Sequence, residues 1–494
     1  LQSMIAFLKV KSYFVNLFTL FTAMQNSKLL TAIRQLEPEE VPKFKDFVES
    51  PYFNKRPALG RLLQFLLQFA PDYENDQLQK AAAYAYVFPG APYEDKQMRY
   101  HMSWLNQLLE HFWLHQRQEE EEARNYSLLM ETLSARGLDK SYRQRERQLN
   151  RLLQKTEARD AAYFRQRQRW ADAREQHFQR KRLRQFNPDL QRASDALDRY
   201  YYLEKMKYAC AMLDRQAILQ GDYTVNITPA WLAYLEAQDY FGLPLLRLYV
   251  NIFKALSAEE EEHYFDSLLI ELDSISGSTS IGRLREIYFM AINYCARKIR
   301  QGKVSYVSQA LSLYTKGINR GILVENGELS PWTFTNVVKL ALRLKRYAWI
   351  AQFIEQKGAL LPAAFRENAL HYNYAELYYY TERLGQAQEH LTKVAYSDLN
   401  YYLGARTLLA KIYFEQGEEE ALLSLIAAFT IFLKRNREAS SAIKQTYLNF
   451  CEILYQILRH DGKKLAPLGQ RIEATTLLTD RDWLMQAWSS KMGR

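Results

Sequence analysis

The chain has 494 residues, of which 48% are hydrophobic and 25% are charged, a balance that excludes disorder over most of its length. Only 18 glycines and 13 prolines are present, too few for the turns of a β-sandwich or a doubly wound α/β fold of this size. Because good helix formers dominate instead, the composition predicts an all-α fold. A chain this long also suits a repeat array that grows along one axis.

Residues 1–23 differ from the rest of the chain. The apolar run YFVNLFTLFTAM at 13–24 is shorter than the roughly 20 residues that a membrane-spanning helix needs, so no transmembrane span is predicted. Phe21 stands where a signal-peptide cleavage site requires a small residue. We interpret 1–23 as an extension outside the fold, with translation starting at Met24. A weak signal or a short membrane anchor is the alternative.

Helical periodicity begins after this extension, and we expect an N-terminal helical domain over 24–135. The stretch SPYFNKR at 50–56 separates two apolar-periodic segments, and a residue before proline is disfavoured in a helix. We interpret it as an interhelical turn in which Tyr52 and Phe53 fold back onto the core. A partner-binding loop is the alternative. Together with VFPGAPYEDKQMRYHMSWLNQLLEHF at 87–112, this stretch resembles the opening of an uncharacterised bacterial family of helical proteins, which implies a domain boundary and no activity.

Three histidines cluster in the second of these stretches: His101, His111 and His115. His111 and His115 are four residues apart and share one helical face. A zinc-protease helix carries a glutamate directly after its first histidine, and Phe112 stands there instead. Because no third ligand lies nearby, we predict packing roles for these histidines and no metal site.

Residues 136–185 hold 16 lysines and arginines and 6 acidic residues, so this segment carries the whole net charge of +10. Neither glycine nor proline occurs between Gly137 and Pro188, which predicts one long helix of about 45 residues within a segment 136–190. Aromatic and apolar residues recur every seven positions and predict packing along one narrow stripe. The favoured interpretation is a helix packed by one seam, with a solvated cationic face.

The alternative for this segment is a face that binds the phosphates of a nucleic acid. Arginine outnumbers lysine 13 to 3, and arginine binds phosphate through two parallel hydrogen bonds. The candidate phosphate-binding residues are Arg165, Arg167, Arg169, Arg180, Lys181 and Arg182. On this hypothesis affinity falls steeply with salt, and replacing the first three of these arginines with Gln reduces the salt dependence.

From 191 to 494 the pattern changes to helical pairs of similar length. Two units repeat with an offset of 35 residues. In each unit the first helix has a small residue and an aromatic residue at matching positions, and the second helix has two matching contact positions. The corresponding residues are Ala375 and Ala410, Tyr378 and Tyr413, Ala387 and Leu422, and Leu391 and Ile426. The pattern resembles the tetratricopeptide repeat over about 331–435, which implies an α-solenoid of stacked helix pairs. Leu422 departs from the alanine of that family, which implies a wider helix spacing there.

The same resemblance implies which side chains face a concave groove, because the first helix of each pair lines it. They are Tyr372, Glu376, Tyr379, Tyr380, Thr407, Lys411, Phe414 and Glu415. Aromatic side chains with flanking charges are the usual composition of a protein-binding hot spot, so we predict partner binding by this set without Thr407 and Glu415. The alternatives are that the C-terminal helices fold over the groove, or that the register is displaced by one residue.

The sequence contains no glycine-rich phosphate loop, nucleophile elbow, paired-cysteine zinc site or dinucleotide fingerprint. Cys210, Cys295 and Cys451 are far apart and odd in number, which favours a reducing, cytoplasmic compartment. We therefore predict a non-enzymatic scaffold or adaptor without a cofactor. Its partner is a protein or peptide whose identity, like the oligomeric state of the chain, is not encoded in any recognisable motif.

Overall fold

The computed structural model describes residues 24–493, apart from 76, 183, 219–221, 259, 276–278, 396–397 and 462–463. The extension proposed for 1–23 lies outside the described residues. Within the described part the chain forms 23 α-helices and one short β-hairpin, which confirms the all-α fold predicted from composition. No helix among the described residues combines the length and apolar character that crossing a membrane requires.

The chain divides into two compact units, the first formed by residues up to 155 and by 166–194, the second by 156–165 and 195–494. The helices α1 to α7 belong to the first unit, and α8 and α9 contribute residues to both. Their bounds are α1 (Lys28–Ile33), α2 (Glu40–Glu49), α3 (Pro57–Leu67), α4 (Lys80–Val87), α5 (Asp95–Glu120), α6 (Glu122–Ala135), α7 (Asp139–Lys155), α8 (Ala161–Arg180) and α9 (Asp189–Ile218).

In the first unit, α5 contacts each of the four helices that precede it, and their apolar faces form one core. The SPYFNKR stretch is the turn between α2 and α3, as predicted. Phe53 folds back and stacks on Phe47 with ring centroids 4.1 Å apart. The side-chain amide of Asn54 donates to the Val48 carbonyl at 2.8 Å and closes the turn. Tyr52, expected to cover the core as well, is instead 85% exposed.

The prediction of one continuous helix over 136–185 was wrong, because α7 and α8 are separated by residues 156–160. Asp160 starts α8, since its carboxylate accepts the N–H of Tyr163 at 3.1 Å. The C-terminal half of α8 then runs back beside α7. The rings of Tyr142 and His177 stack with centroids 3.8 Å apart, and the Tyr142 hydroxyl donates to the Ala173 carbonyl at 3.3 Å. Helix α8 therefore starts at a side-chain cap, after a break at 156–160 that contains neither glycine nor proline.

The second unit contains the remaining helices. They are α10 (Pro229–Glu236), α11 (Pro244–Ser257), α12 (His263–Ser274), α13 (Ile281–Arg300), α14 (Ser305–Asn319), α15 (Pro331–Arg343), α16 (Tyr347–Lys357), α17 (Ala363–Tyr380), α18 (Leu384–Thr392), α19 (Leu399–Gln416), α20 (Glu419–Arg435), α21 (Ser441–Arg459), α22 (Leu468–Ala474) and α23 (Arg481–Met492). The antiparallel strands β1 (Val324–Glu325) and β2 (Glu328–Leu329) connect α14 to α15.

From α13 to α21 every helix packs on the next one, and α17 also contacts both α15 and α19. The small residues of the 35-residue pattern, Ala375 and Ala410, are buried at these contacts, with Ala387 of the second helix. Stacked helix pairs of a solenoid bury their apolar faces against neighbours in this way. The tetratricopeptide assignment and the domain limits 24–135, 136–190 and 191–494 stay predictions.

A buried chain of hydrogen bonds joins the first helices of three successive pairs. The Asn373 amide donates to the Thr335 hydroxyl at 3.1 Å, and the Thr335 and Tyr401 hydroxyls lie 3.0 Å apart. The Tyr401 hydroxyl in turn donates to the Pro331 carbonyl at 3.1 Å. Buried polar groups are costly when they lack partners. These hydrogen bonds therefore fix the positions of α15, α17 and α19 along their axes relative to one another.

Two histidines meet where α17 packs on α18. The Nδ1 atoms of His371 and His390 lie 3.0 Å apart, so one ring donates the proton between them and the other accepts it. Burial lowers the pKa of both imidazoles, and His371 and Lys393 lower the pKa of His390 further. If both rings were protonated, two N–H groups would face each other across this contact, which the folded state opposes.

We expect this histidine pair to make the folded protein less stable in acid. Because the folded-state pKa values lie below the unfolded value of about 6.5, the contribution is complete above that pH and is lost as the pH falls below it. The melting temperature should therefore fall less steeply between about pH 7 and pH 5 for His390→Gln than for the wild-type chain. His263→Gln, at an exposed histidine, is the matched control. The prediction would be contradicted if the melting temperature depended on pH equally in His390→Gln and in the wild-type chain.

Candidate functional site

The second unit has a groove built from two adjoining cavities along the first helices of its pairs. The larger, of about 480 Å³, lies between α13, α14, α15 and α17, and the smaller, of about 270 Å³, lies between α15, α17, α19 and α21. The two share five lining residues, which are Asn336, Lys339, Glu376, Lys411 and Asp480. We call both cavities together the groove. A volume of this size suits a few side chains of a peptide.

The larger cavity combines apolar walls with cationic groups. Its apolar walls include Ile292, Ile299 and Leu340. The exposed cations Arg300, Lys339 and Arg343 line it as well, and they come from α13 and α15. Nitrogen donors of this kind are suited to carboxylate groups, and arginine can bind a carboxylate through two hydrogen bonds.

The acidic groups of the groove are already engaged within the protein. Glu376 accepts a hydrogen bond from the Tyr372 hydroxyl at 2.6 Å, and Asp480 forms an ion pair with Lys411. Burial, Glu376 and Asp480 raise the pKa of the Tyr380 phenol, which therefore remains a hydrogen-bond donor at neutral pH. Because Asp480 is neutralised by Lys411, three cations face the single Glu376 carboxylate in the larger cavity, and its net charge is positive.

The structure buries Tyr372, contrary to the expectation that it is exposed in the groove. Its side chain is 6% exposed and its ring lies 5.5 Å from that of Tyr401. A Cβ atom on Gly404 would come within 2.9 Å of the Tyr372 ring, so the absence of a side chain there makes room for the ring. Tyr372 is thus part of the floor beneath the groove, and only its edge reaches the smaller cavity.

The C-terminal helix covers the part of this surface that Tyr379 and Phe414 occupy. Trp483 of α23 packs edge-on against Phe414 at 5.4 Å, and its indole N–H donates to Glu415 at 2.8 Å. The Tyr379 hydroxyl donates to the same Glu415 carboxylate. The sequence leaves open whether C-terminal helices fold over the groove, and at this end they do. Neither ring is therefore a free anchor for a partner.

Lys411 is also engaged by residues of the C-terminal segment. Its side chain is only 14% exposed, it pairs with Asp480, and its ammonium lies 5.8 Å over the Trp483 ring. Asp480 has φ of 51°, a left-handed conformation that a non-glycine residue adopts at some cost in energy. The ion pair with Lys411 helps to hold it there. Of the predicted partner-binding residues, Tyr380 and Glu376 remain on the open part of the groove.

Arg300, Lys339 and Arg343, the cations of the larger cavity, are not among the residues predicted from the sequence. Lys339 and Arg343 are four residues apart and share one face of α15, a spacing that was visible in the sequence. The sequence does not show that they meet Arg300 and Tyr380, since these positions lie 37 to 80 residues apart along the chain. Packing between pairs of helices brings them to one cavity.

The six candidate phosphate ligands do not form one surface. The guanidinium groups of Arg165 and Arg167 lie over the rings of Tyr200 and Trp170, at 5.6 and 4.7 Å. Arg169 is half-buried. Residues two apart on a helix point about 200° away from each other, so these three arginines cannot share one face.

Arg180, Lys181 and Arg182 are exposed at the opposite end of α8. Fifteen residues separate Arg165 from Arg180, which is about 22 Å along a helix. The predicted ligands therefore fall into two groups, and only the group at the C-terminal end of α8 presents its cations to solvent.

The three histidines of the N-terminal domain occupy different environments. His101 is buried, with its ring 5.0 Å from Phe88, and His115 lies 5.6 Å from Phe53. His111 is exposed. Among the residues that the structure describes, no three histidine, cysteine or acidic side chains come together as a metal site.

Comparison with known proteins provides no relative, since no family model, no curated protein and no solved structure matches the chain. The resemblances to the tetratricopeptide repeat and to the bacterial helical family stay predictions. Function is therefore inferred from the geometry of this chain alone.

We expect Phe414 and Trp483 to stabilise the fold as a coupled pair. Alanine at either position should lower the free energy of unfolding by about 1–3 kcal/mol, because each ring loses packing at a half-buried contact. In a double-mutant cycle the two should couple by about 0.5–1.5 kcal/mol, the usual value for an aromatic pair. The measurement is urea unfolding of both single variants and the double variant.

The matched control for this cycle is Tyr380→Ala, because Tyr380 is 50% exposed and lies in the open part of the groove. Its effect on stability should stay within about 0.5 kcal/mol. Unchanged stability in Phe414→Ala, or strict additivity in the cycle, would show that α23 does not cover this surface.

Proposed function

We propose that this protein is a non-enzymatic interaction scaffold whose second unit binds a peptide segment of another protein in the groove. The single observation that carries this proposal is the larger cavity, in which exposed cations from α13 and α15 stand beside apolar walls. A cavity of about 480 Å³ holds a few side chains rather than a folded surface. A peptide supplies such side chains together with the backbone groups that polar residues of the groove can bind.

The charge of the larger cavity indicates which peptide it suits. Arg300, Lys339 and Arg343 make no ion pair among the described residues, and Lys339 lies only 5.7 Å over the Tyr372 ring. Asp480 and Glu376 already have partners. The groove therefore favours a segment with acidic side chains next to a large apolar one, which would fill the space between Ile299 and Tyr380.

The position of α23 sets one limit of the binding surface. Asp480 lines both cavities, and Trp483, three residues later, closes the surface over Phe414. A bound segment would thus lie along α13, α15 and α17 and would end at the Lys411–Asp480 pair. Tyr380, half exposed at the mouth of the larger cavity, is the aromatic side chain best placed to anchor it.

A peptide-display selection against the purified full chain tests this function. We expect enriched peptides to combine aspartate or glutamate with an aromatic or aliphatic residue. Lys339→Gln combined with Arg343→Gln should then weaken binding of a synthetic enriched peptide by about tenfold or more, because two cations that attract its carboxylates are removed. Fluorescence anisotropy with the labelled peptide provides the dissociation constants.

The matched control is Lys345→Gln combined with Arg346→Gln, which removes two exposed cations that follow directly after α15 and line neither cavity. It should leave the affinity unchanged. Enrichment of basic peptides, or equal affinity for the Lys339 and Arg343 variant and the wild-type chain, would contradict the proposed function.

A further inference from the structure

A second charged surface lies in the first unit, where α7 begins and α8 ends. Asp139 marks this place: its carboxylate lies 3.2 Å from the Lys181 ammonium and 3.5 Å from the His177 ring. Lys181, His177 and Arg143 together lower the pKa of Asp139, so cations from both helices converge on this one carboxylate. The Ser134 hydroxyl, 2.8 Å from His177, ties the end of α6 to the same place.

The cations at this place far outnumber the acidic groups. Residues 136–143 and 180–186 hold seven lysines and arginines and a single carboxylate, Asp139. We call these seven cations the basic end. They are Arg136, Lys140, Arg143, Arg180, Lys181, Arg182 and Arg184, and all are exposed.

Other acidic side chains near this surface face inward and are already paired. Asp189 and Glu146 both bind Arg174, and Glu175 accepts a hydrogen bond from Gln179. Within the described part of the chain, the basic end therefore has Asp139 as its one acidic partner. Like charges this close repel one another, and a polyanion relieves that repulsion.

The composition of the basic end favours phosphate groups and unpaired bases. Five of its seven cations are arginines, whose planar guanidinium groups can bind a phosphate through two hydrogen bonds. Phe186 follows directly and is 88% exposed, which is unusual for a large apolar side chain. An exposed aromatic ring among cations is the arrangement on which proteins stack the bases of a single strand.

We propose that the basic end is a binding site for single-stranded nucleic acid, with the arginines on the phosphates and Phe186 stacked on a base. This site is independent of the peptide groove and differs from the surface expected from the sequence. Arg165 and Arg167, which lie elsewhere on α8, sit over aromatic rings. The site instead gains three cations that the sequence did not single out: Arg136 at the end of α6, and Lys140 and Arg143 from the first turns of α7.

Fluorescence anisotropy of the full chain with a labelled oligothymidylate, at about 50 to 200 mM salt, tests the proposal. The slope of log affinity against log salt should be about −0.7 for each phosphate contacted. Arg180→Gln, Arg182→Gln and Arg184→Gln together should make this slope shallower by up to about 2. Phe186→Ala should weaken binding about tenfold and leave the slope unchanged, because stacking involves no counterion release.

The matched control is Lys434→Gln, Arg435→Gln and Arg437→Gln, which removes the same charge from an exposed site at the end of α20. It should keep the wild-type slope and affinity. The proposal is overturned by absence of binding at low salt, by an equal loss in the control, or by binding to phosphatidylserine vesicles without binding to the oligonucleotide.

Discussion

The buried hydrogen-bond chain from Asn373 through Thr335 and Tyr401 to the Pro331 carbonyl is the contact on which the second unit depends. The groups in it are buried, and a buried polar atom that loses its partner costs about 1–3 kcal/mol. Apolar packing alone would tolerate small slides of α15, α17 and α19 past one another. Directional hydrogen bonds do not tolerate such slides. They therefore fix where along the helix axes the side chains of these three helices lie.

The groove follows from that alignment. Lys339 is four residues beyond Thr335 on α15, and Glu376 is three beyond Asn373 on α17, so each lies about one turn above a member of the buried chain. Because the hydrogen bonds fix the positions of the helices, both side chains line the wall that the two cavities share. The cations that face a ligand are thus positioned by polar contacts that the ligand never touches.

The C-terminal segment shapes the same surface in a different way. Asp480 neutralises Lys411, and Trp483 covers Phe414, so two residues with the chemistry of a binding hot spot become an internal contact. The left-handed backbone at Asp480 turns the chain toward Lys411 just before α23 begins. Helix α23 packs on α21 and covers the part of the surface that Phe414 occupies.

The break between α7 and α8 decides where the basic segment places its charges. Helix α7 ends at Lys155, and the Asp160 carboxylate caps the start of α8 after this break, so the basic segment reverses instead of continuing as one helix. The reversal brings Tyr142 onto His177, which are 35 residues apart, and places the cations at the start of α7 beside those at the end of α8. A straight helix would have spread the same charges over about 70 Å.

The sequence by itself determined the local features: the all-α fold, the turn at 50–56, and the buried small residues Ala375 and Ala410. The all-α fold follows from composition, the turn from proline, and the two alanines from a pattern that repeats after 35 residues. Only the tertiary structure decided that Tyr372 is buried, that α23 covers Phe414, and that cations from α13 and α15 share a cavity. The reason is physical, because helical periodicity specifies that a face is apolar and leaves open which element covers it. That choice is made by contacts between residues distant in the chain.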